Sequence, residues 1–469
     1  MTANPRSAKT FRFVRRGCEN GHIELVYAFD DGPELIERIT FPDAPAITGD
    51  RQDAFDAALK LLHLIAGVSY YKAGVPGEIV VENDVLDGET AAFLDDAYLH
   101  GLAEFAYHNK LDLRGKIRFP SVDRHPGEGR DPATLSVENS TLDSTFRRND
   151  EPDHSIGLPR RTLVPIGGGK DSLVSVEILK RANEPATAVW IGDSALIAAC
   201  AQRTGLPMLN IKRQLAPELF DYNKTGALNG HIPVTAINSA ILLCAAIAYG
   251  FDSIAFSNER SASVATLEYD GQSVNHQWSK SIDFERALRK YTKSHIAADL
   301  DYFSLLRPFS ELAVTRAFAR ETHYDDLFSS CNRNFRIRGV KPSDRWCGQC
   351  PKCHFVFLAL APFVAKPRLL GIFGRNLLDD MALAHAFDAL LEYRDHKPFE
   401  CVGEGRESRA AMFALAQRPE WREDALVARF ADEILPQLGD GDLSIERVLK
   451  LEGEHFVPQR LMSALHAAG

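Results

Sequence analysis

The stretch Thr162-Leu-Val-Pro-Ile-Gly-Gly-Gly-Lys-Asp-Ser172 constrains this chain more than any other. A short apolar run of β type, residues 162–166, meets three consecutive glycines. Lys170, Asp171 and Ser172 then open a helical pattern that runs to about Arg181. Leu173, Val176, Ile178 and Leu179 give that helix one apolar side to lay against a sheet. A strand, a glycine turn and a helix start aim free backbone N–H groups at one point, where an anion can be held. Gly167, Gly168 and Gly169 would let the backbone approach a phosphate without Cβ clashes. Lys170 adds positive charge, and Asp171 can hold a metal ion that bridges phosphate oxygens.

Two common phosphate loops do not fit. A Walker A loop needs a glycine where Val164 stands and a hydroxyl residue where Asp171 stands. The dinucleotide fingerprint needs Gly-x-Gly-x-x-Gly spacing, which is absent. The run resembles the PP-loop of the ATP pyrophosphatases, Ser-Gly-Gly-x-Asp-Ser. Gly168, Gly169, Asp171 and Ser172 match it, and Gly167 replaces the first serine, so one hydroxyl contact to phosphate is missing.

The chain has 469 residues, a net charge of −10 and a pI near 5.9. Length allows two or three domains. The acidic balance argues against nucleic acid as the main partner. The first nine residues, Met1 to Lys9, lack the apolar core of a signal peptide. The richest apolar run, 236–249, is too short to span a bilayer and reads as a buried helix, so no membrane is expected. The cytoplasm is the expected location.

Taken in order, 11–41 reads as a β-hairpin region with its turn at Glu19-Asn-Gly21. An amphipathic helix follows over 52–66, then a strand over 78–82 and a helix over 89–110. These make a small N-terminal α+β domain, 1–119, read either as a cover for one end of the core or as a substrate-selecting module. Residues 120–160 are rich in Pro, Gly, Asp, Asn and Ser and read as a linker or flexible loop. From Arg161 strands and helices alternate: strands at 186–191, 208–211 and 253–257, helices at 193–204 and up to Tyr249. That alternation predicts an α/β fold with a parallel sheet covered on both faces, over 161–354. Ligands in such sheets sit at the carboxyl ends of strands. The glycine loop, the 191–193 turn and Ser257-Asn258-Glu259-Arg260 all fall there, which makes Asn258 and Glu259 candidate nucleotide contacts. Asn275-His-Gln-Trp-Ser-Lys-Ser281 then groups a base candidate, His276, with the cation Lys280 and a tryptophan, before a helix over 284–298.

Eight cysteines without a signal peptide do not read as a disulfide framework. Cys347-Gly-Gln-Cys350-Pro-Lys-Cys353 spaces three thiolates on a knuckle, and Cys331 can close a tetrahedron. Four thiolates describe a structural Zn²⁺ site with no open position. His354 is an alternative fourth ligand, and an iron–sulfur cluster also uses thiolates. Cys18, Cys200, Cys244 and Cys401 read as small buried apolar groups. The last region, 355–469, is helical almost throughout, with stripes at 379–393, 406–417, 424–438 and 444–451 suited to packing or oligomer contacts.

The glycine loop together with the cysteine knuckle is similar to the 7-cyano-7-deazaguanine synthase branch of PP-loop enzymes. The fuller resemblance is to the UDP-N-acetylmuramoyl-L-alanyl-L-glutamate epimerases of the MurL type. Pro165 to Ser172, Gly230-His-Ile-Pro-Val-Thr235, Ser257 to Arg260, Asn275 to Lys280 and Trp346 to Cys353 carry it. It implies a PP-loop core of the adenine nucleotide alpha hydrolase type, ATP and Mg²⁺ as cofactors, and a UDP-N-acetylmuramoyl-dipeptide substrate. It further implies inversion of the terminal L-Glu to D-Glu through adenylation of its α-carboxylate, with release of AMP and pyrophosphate, in peptidoglycan precursor synthesis. A Cα base is then required, and His276, His231 and Lys280 fit by residue type. The alternative is a PP-loop enzyme acting on a tRNA or a deazapurine base, for which 332–345 is the one basic run.

Overall fold

The computed structural model describes residues 4–122, 154–335, 341–438 and 443–469. Most of the expected linker, 123–153, and part of the basic run, 336–340, lie outside the described residues. Among the described residues nine strands form one mostly parallel sheet. Its N-terminal portion comprises β1 (Thr10–Glu19), β2 (His22–Phe29), β3 (Leu35–Thr40) and β4 (Glu78–Val81). The α/β portion comprises β5 (Thr162–Pro165), β6 (Ala186–Ile191), β7 (Met208–Gln214) and β8 (Ser253–Phe256). A separate hairpin, β9 (Leu267–Tyr269) and β10 (Gln272–Val274), precedes the last strand, β11 (Asp301–Ser304).

The order across the sheet is β11-β8-β5-β6-β7-β3-β2-β1-β4. From β11 to β7 every pairing is parallel. Strand order reverses between β5 and β8, and in open α/β sheets the crevice at such a reversal is where ligands bind. The glycine loop follows β5 and the 257–260 segment follows β8, so both stand on that crevice.

The N-terminal strands join the α/β sheet through β3, which pairs antiparallel with β7. This pairing covers what would otherwise be an open edge. The expected strand 208–211 runs on to Gln214 because Lys212, Arg213 and Gln214 are the residues that pair with β3. Arg213 Nε donates to the buried Glu37 carboxylate at 2.7 Å across this seam. Behind it the Val234–Tyr249 helix, apolar on nearly all sides, is buried against the Asp50–Ala66 helix.

The helix expected over 89–110 is two helices, Gly88–Gly101 and Ala103–Asn109, broken at Leu102. A Cβ on Gly101 would stand 2.6 Å from Pro233 Cγ, so glycine allows that proline to approach. The break directs the second helix, with Glu104, toward His231 and His276. The C-terminal part is helical, but the 424–438 stripe is divided into an α turn, Ala425–Arg429, a π segment, Phe430–Ile434, and a 3-10 turn, Leu435–Gln437. Pro436 cannot donate to a continued ladder. No helix among the described residues is long and apolar enough to cross a membrane.

Candidate active site

The Lys170–Arg181 helix begins directly after the glycines, with Gly169 at its N-cap and no side chain capping it. Its first-turn N–H groups are therefore left for a ligand, as an anion site requires. Gly168 has φ +77°, and a Cβ there would stand 2.7 Å from Leu196 Cδ2. A Cβ on Gly169 would stand 2.6 Å from Ser330 Oγ, whereas one on Gly167 would meet nothing within 4 Å. Two of the glycines are thus demanded by packing and backbone, and the third faces open space. Ser172 closes the loop, its hydroxyl receiving the Gly167 N–H at 3.3 Å and donating to the Gly169 carbonyl at 3.2 Å.

Lys170 does not face the open side of the loop. Its side chain is fully buried, and its ammonium is held between Asp171 and Glu311. Burial works against that charge, but the two carboxylates outweigh it and raise its pKa. Glu311 also accepts from Lys352 at 3.3 Å. Burial opposes its ionisation too, yet Lys170 and Lys352 pull its pKa down to about 2. Asp171 remains partly exposed beside the loop. A hard, partly exposed carboxylate beside an uncapped helix start fits Mg²⁺, which takes one or two carboxylates and fills its remaining positions with phosphate oxygens and water.

After β8, Ser257 Oγ donates to Ser175 Oγ of the loop helix at 2.7 Å, and Asn258 Nδ2 donates to Ser304 Oγ at 3.0 Å. Glu259 accepts the Ala262 N–H at 2.8 Å. Burial, reinforced by Glu311 and Asp171, pushes its pKa up to about 8. Arg307, almost fully buried, braces this part: it donates to the Glu259 carbonyl at 2.8 Å, the Lys280 carbonyl at 2.6 Å and Glu285 at 2.8 Å.

The expected base candidates come together. His231 and His276 have ring centroids 4.3 Å apart, and both face Glu104, whose carboxylate is bonded to His276 Nδ1. Burial lowers the His231 pKa to about 4, and the neighbouring His276 charge adds to this. Burial acts the same way on His276, but Cys401 and Glu104 outweigh it and raise its pKa to about 9. Environments that push two like groups apart in this way assign one neutral and one charged role. Lys280 Nζ donates to Cys401 Sγ at 3.2 Å.

Cys401 is the main departure from the sequence reading. It is a half-buried thiol among cations, not an apolar filler. Cys18 is exposed on the last part of β1, whereas Cys200 and Cys244 are buried as expected. The four knuckle cysteines converge, with sulfur separations of 3.9 Å for Cys331–Cys350, 3.4 Å for Cys350–Cys353 and 3.7 Å for Cys347–Cys353. Thiolates about 2.3 Å from one tetrahedral ion lie roughly 3.8 Å from each other, so the set fits a single Zn²⁺. His354 is not in the set; its Nε2 donates to the Gly348 carbonyl at 3.2 Å and braces the knuckle. Ser329 and Ser330, next to Cys331, pack on Gly168 and Gly169, so the knuckle buttresses the glycine loop.

Glu104, Arg307, Glu311, Lys352 and Cys401 are the site residues that sequence reasoning missed. Only Lys352 carried a signal, its place inside the cysteine knuckle. Glu104 and Glu311 are ordinary helical charges, Arg307 lies in a turn and Cys401 is a lone thiol, so none stands out in the sequence. One polar chain links the two halves of the site: Asp171, Lys170, Glu311 and Lys352, then the Cys401 carbonyl, which receives the Lys352 ammonium.

The model of the MurL N-terminal domain matches residues 2–305, and that of the MurL C-terminal domain matches residues 327–443. The chain is 56% identical over 461 residues to the UDP-N-acetyl-alpha-D-muramoyl-L-alanyl-L-glutamate epimerase of Xanthomonas oryzae pv. oryzae (strain MAFF 311018), covering 98% of this chain and 97% of that protein. It is 40% identical over 439 residues to the protein of the same name from Salinispora tropica, covering 93% and 90% of the two chains. A match of this identity along nearly the whole length, by both domain models, means that the chain belongs to the MurL family.

Proposed function

We propose that this protein is an ATP-dependent epimerase that inverts the terminal L-Glu of UDP-N-acetylmuramoyl-L-alanyl-L-glutamate to D-Glu, supplying a peptidoglycan precursor. The observation that carries the reading is near-full-length similarity at 56% identity to a protein named for that reaction. The chemistry of the residues supports it. An ionised carboxylate is a poor activator of its own α-proton, because the enolate would carry a second negative charge. Adenylating the glutamyl α-carboxylate removes that charge. The uncapped start of the Lys170–Arg181 helix would receive the phosphates of ATP, in the manner of a PP-loop, with Gly167 on the open side. Asp171 would hold Mg²⁺, and that ion would supply charge neutralisation for the pyrophosphate leaving group. Lys170, held in its ion pairs, would fix the loop and Asp171 rather than grip phosphate.

Proton transfer at Cα would fall to the cluster built around His276, His231 and Lys280. Cys331, Cys347, Cys350 and Cys353 would hold a closed structural Zn²⁺ that keeps the Ser329–Cys331 segment against the glycine loop. The test is incubation with UDP-N-acetylmuramoyl-L-alanyl-L-glutamate, ATP and Mg²⁺, followed by chiral analysis of glutamate and measurement of AMP. D-Glu formed together with AMP is the expected result. D-Glu formed equally well without ATP would sink the adenylation step, and no D-Glu at all would sink the function.

A further inference from the structure

We propose that the Cys401 thiolate takes the glutamyl Cα proton on one face of the substrate, positioned by Lys280 and His276. This rests on the epimerase reading above. Cys401 lies in the loop before the Gly405–Ala416 helix, far in sequence from every other member of the site. Lys280 Nζ stands 3.2 Å from its sulfur, and the nearby His276 charge also favours the thiolate. Lys352 donates to the Cys401 carbonyl and fixes its backbone. Phe399, two residues earlier, packs on Tyr107 and His108 at 5.5 and 4.9 Å, which ties the loop to the helix that carries Glu104.

Behind His276 stands Glu104, then His231 at 3.9 Å and the exposed His108 at 3.8 Å from that carboxylate. Glu104 thus holds His276 protonated beside the sulfur, and the half-buried sulfur keeps its own path to solvent. An epimerase base needs such a path, because it must lose the proton it gains before the next turnover. In the step, the Cα–H bond breaks, its electron pair passes into the enolate, and an S–H bond forms. A proton drawn from solvent water on the opposite face restores the C–H bond. The half-buried thiol then returns its own proton to solvent, while His276 and Lys280 keep theirs.

The charged groups around the sulfur are Lys280, His276 and Lys352, with Glu104, Glu259, Asp171 and Glu311 behind them. Burial works against the thiolate, but Lys280, His276 and Lys352 outweigh it and pull its pKa down to about 5. With His276 near 9, thiolate and imidazolium coexist between those limits. Cα exchange should rise as pH passes about 5 and fall as it passes about 9.

The test follows two signals from one reaction in D₂O with substrate, ATP and Mg²⁺: deuterium at the glutamyl Cα and AMP release. In Cys401→Ser, Cα exchange should drop about 100-fold or more, the scale of general acid–base catalysis, while AMP stays measurable. Undiminished exchange in both Cys401→Ser and Cys401→Ala would overturn the assignment and leave the epimerase reading intact. Absence of exchange in the wild type would instead overturn the epimerase reading. A second measurement needs no Cys401 variant: the pH dependence of iodoacetamide labelling at Cys401, mapped by peptide mass. Its inflection should lie near 5 and move toward the ordinary thiol value of 9 in Lys280→Met and in His276→Gln. Labelling of the wild type only in the ordinary thiol range, or a hydroxylamine-labile glutamyl adduct on Cys401, would overturn the proposal.

Discussion

The ammonium of Lys170 is held against the carboxylate of Glu311, 141 residues further along the chain. Both side chains are buried, and Lys352 closes on the same carboxylate. Removing Glu311 would leave the buried Lys352 without its carboxylate and the buried Lys170 with Asp171 alone. Glu311→Ala should therefore lower stability by roughly 3–5 kcal/mol, the scale for breaking a buried ion pair, measured by denaturant unfolding. The pH dependence has a definite sign. The Glu311 pKa falls from 4.5 to about 2 on folding, so its contribution is full above 4.5 and is lost as pH falls toward 2. Wild-type stability should fall across that window, and Glu311→Gln should flatten the fall.

The three glycines should respond unequally. Gly167→Ser fits open space and restores the hydroxyl of the PP-loop pattern, so it should keep at least half the AMP-forming rate. Gly168→Ala must adopt φ +77° and displace Leu196, and Gly169→Ala must displace Ser330. Each should cost about 1–3 kcal/mol of stability, from strain and crowding. Equal effects at all three positions, by thermal melts and AMP assay, would show that the loop is not shaped as described.

Asp171→Asn keeps the shape of the side chain and removes its charge. If Asp171 holds Mg²⁺, AMP formation should fall by about two to three orders of magnitude, equivalent to several kcal/mol of transition-state stabilisation. A near-wild-type rate with unchanged Mg²⁺ dependence would remove the residue from the metal site.

One zinc ion per chain is expected at Cys331, Cys347, Cys350 and Cys353. Chelation should lower the melting temperature first and activity second, since structural zinc contributes folding free energy. Cys331→Ser should lose the metal. Elemental analysis showing iron with sulfide, or no metal, would contradict the site.

Local features were legible because their causes are local. The glycine run between an apolar strand and a helix, each strand and helix of the alternation from Arg161 onward and the Cys347–Cys353 spacing each state a geometry over a short stretch of chain. The sheet-facing side of the Lys170–Arg181 helix and the buried Val234–Tyr249 helix follow from periodicity alone. Tertiary structure decided what lies across the sheet. That β3 covers β7, and that a break at Leu102 directs Glu104 to His276, depend on packing between distant segments. Cys401 looked apolar because an isolated cysteine carries no sign of its surroundings. Its thiolate character comes from Lys280 and His276, more than a hundred residues earlier, and Coulomb interaction acts through space rather than along the chain.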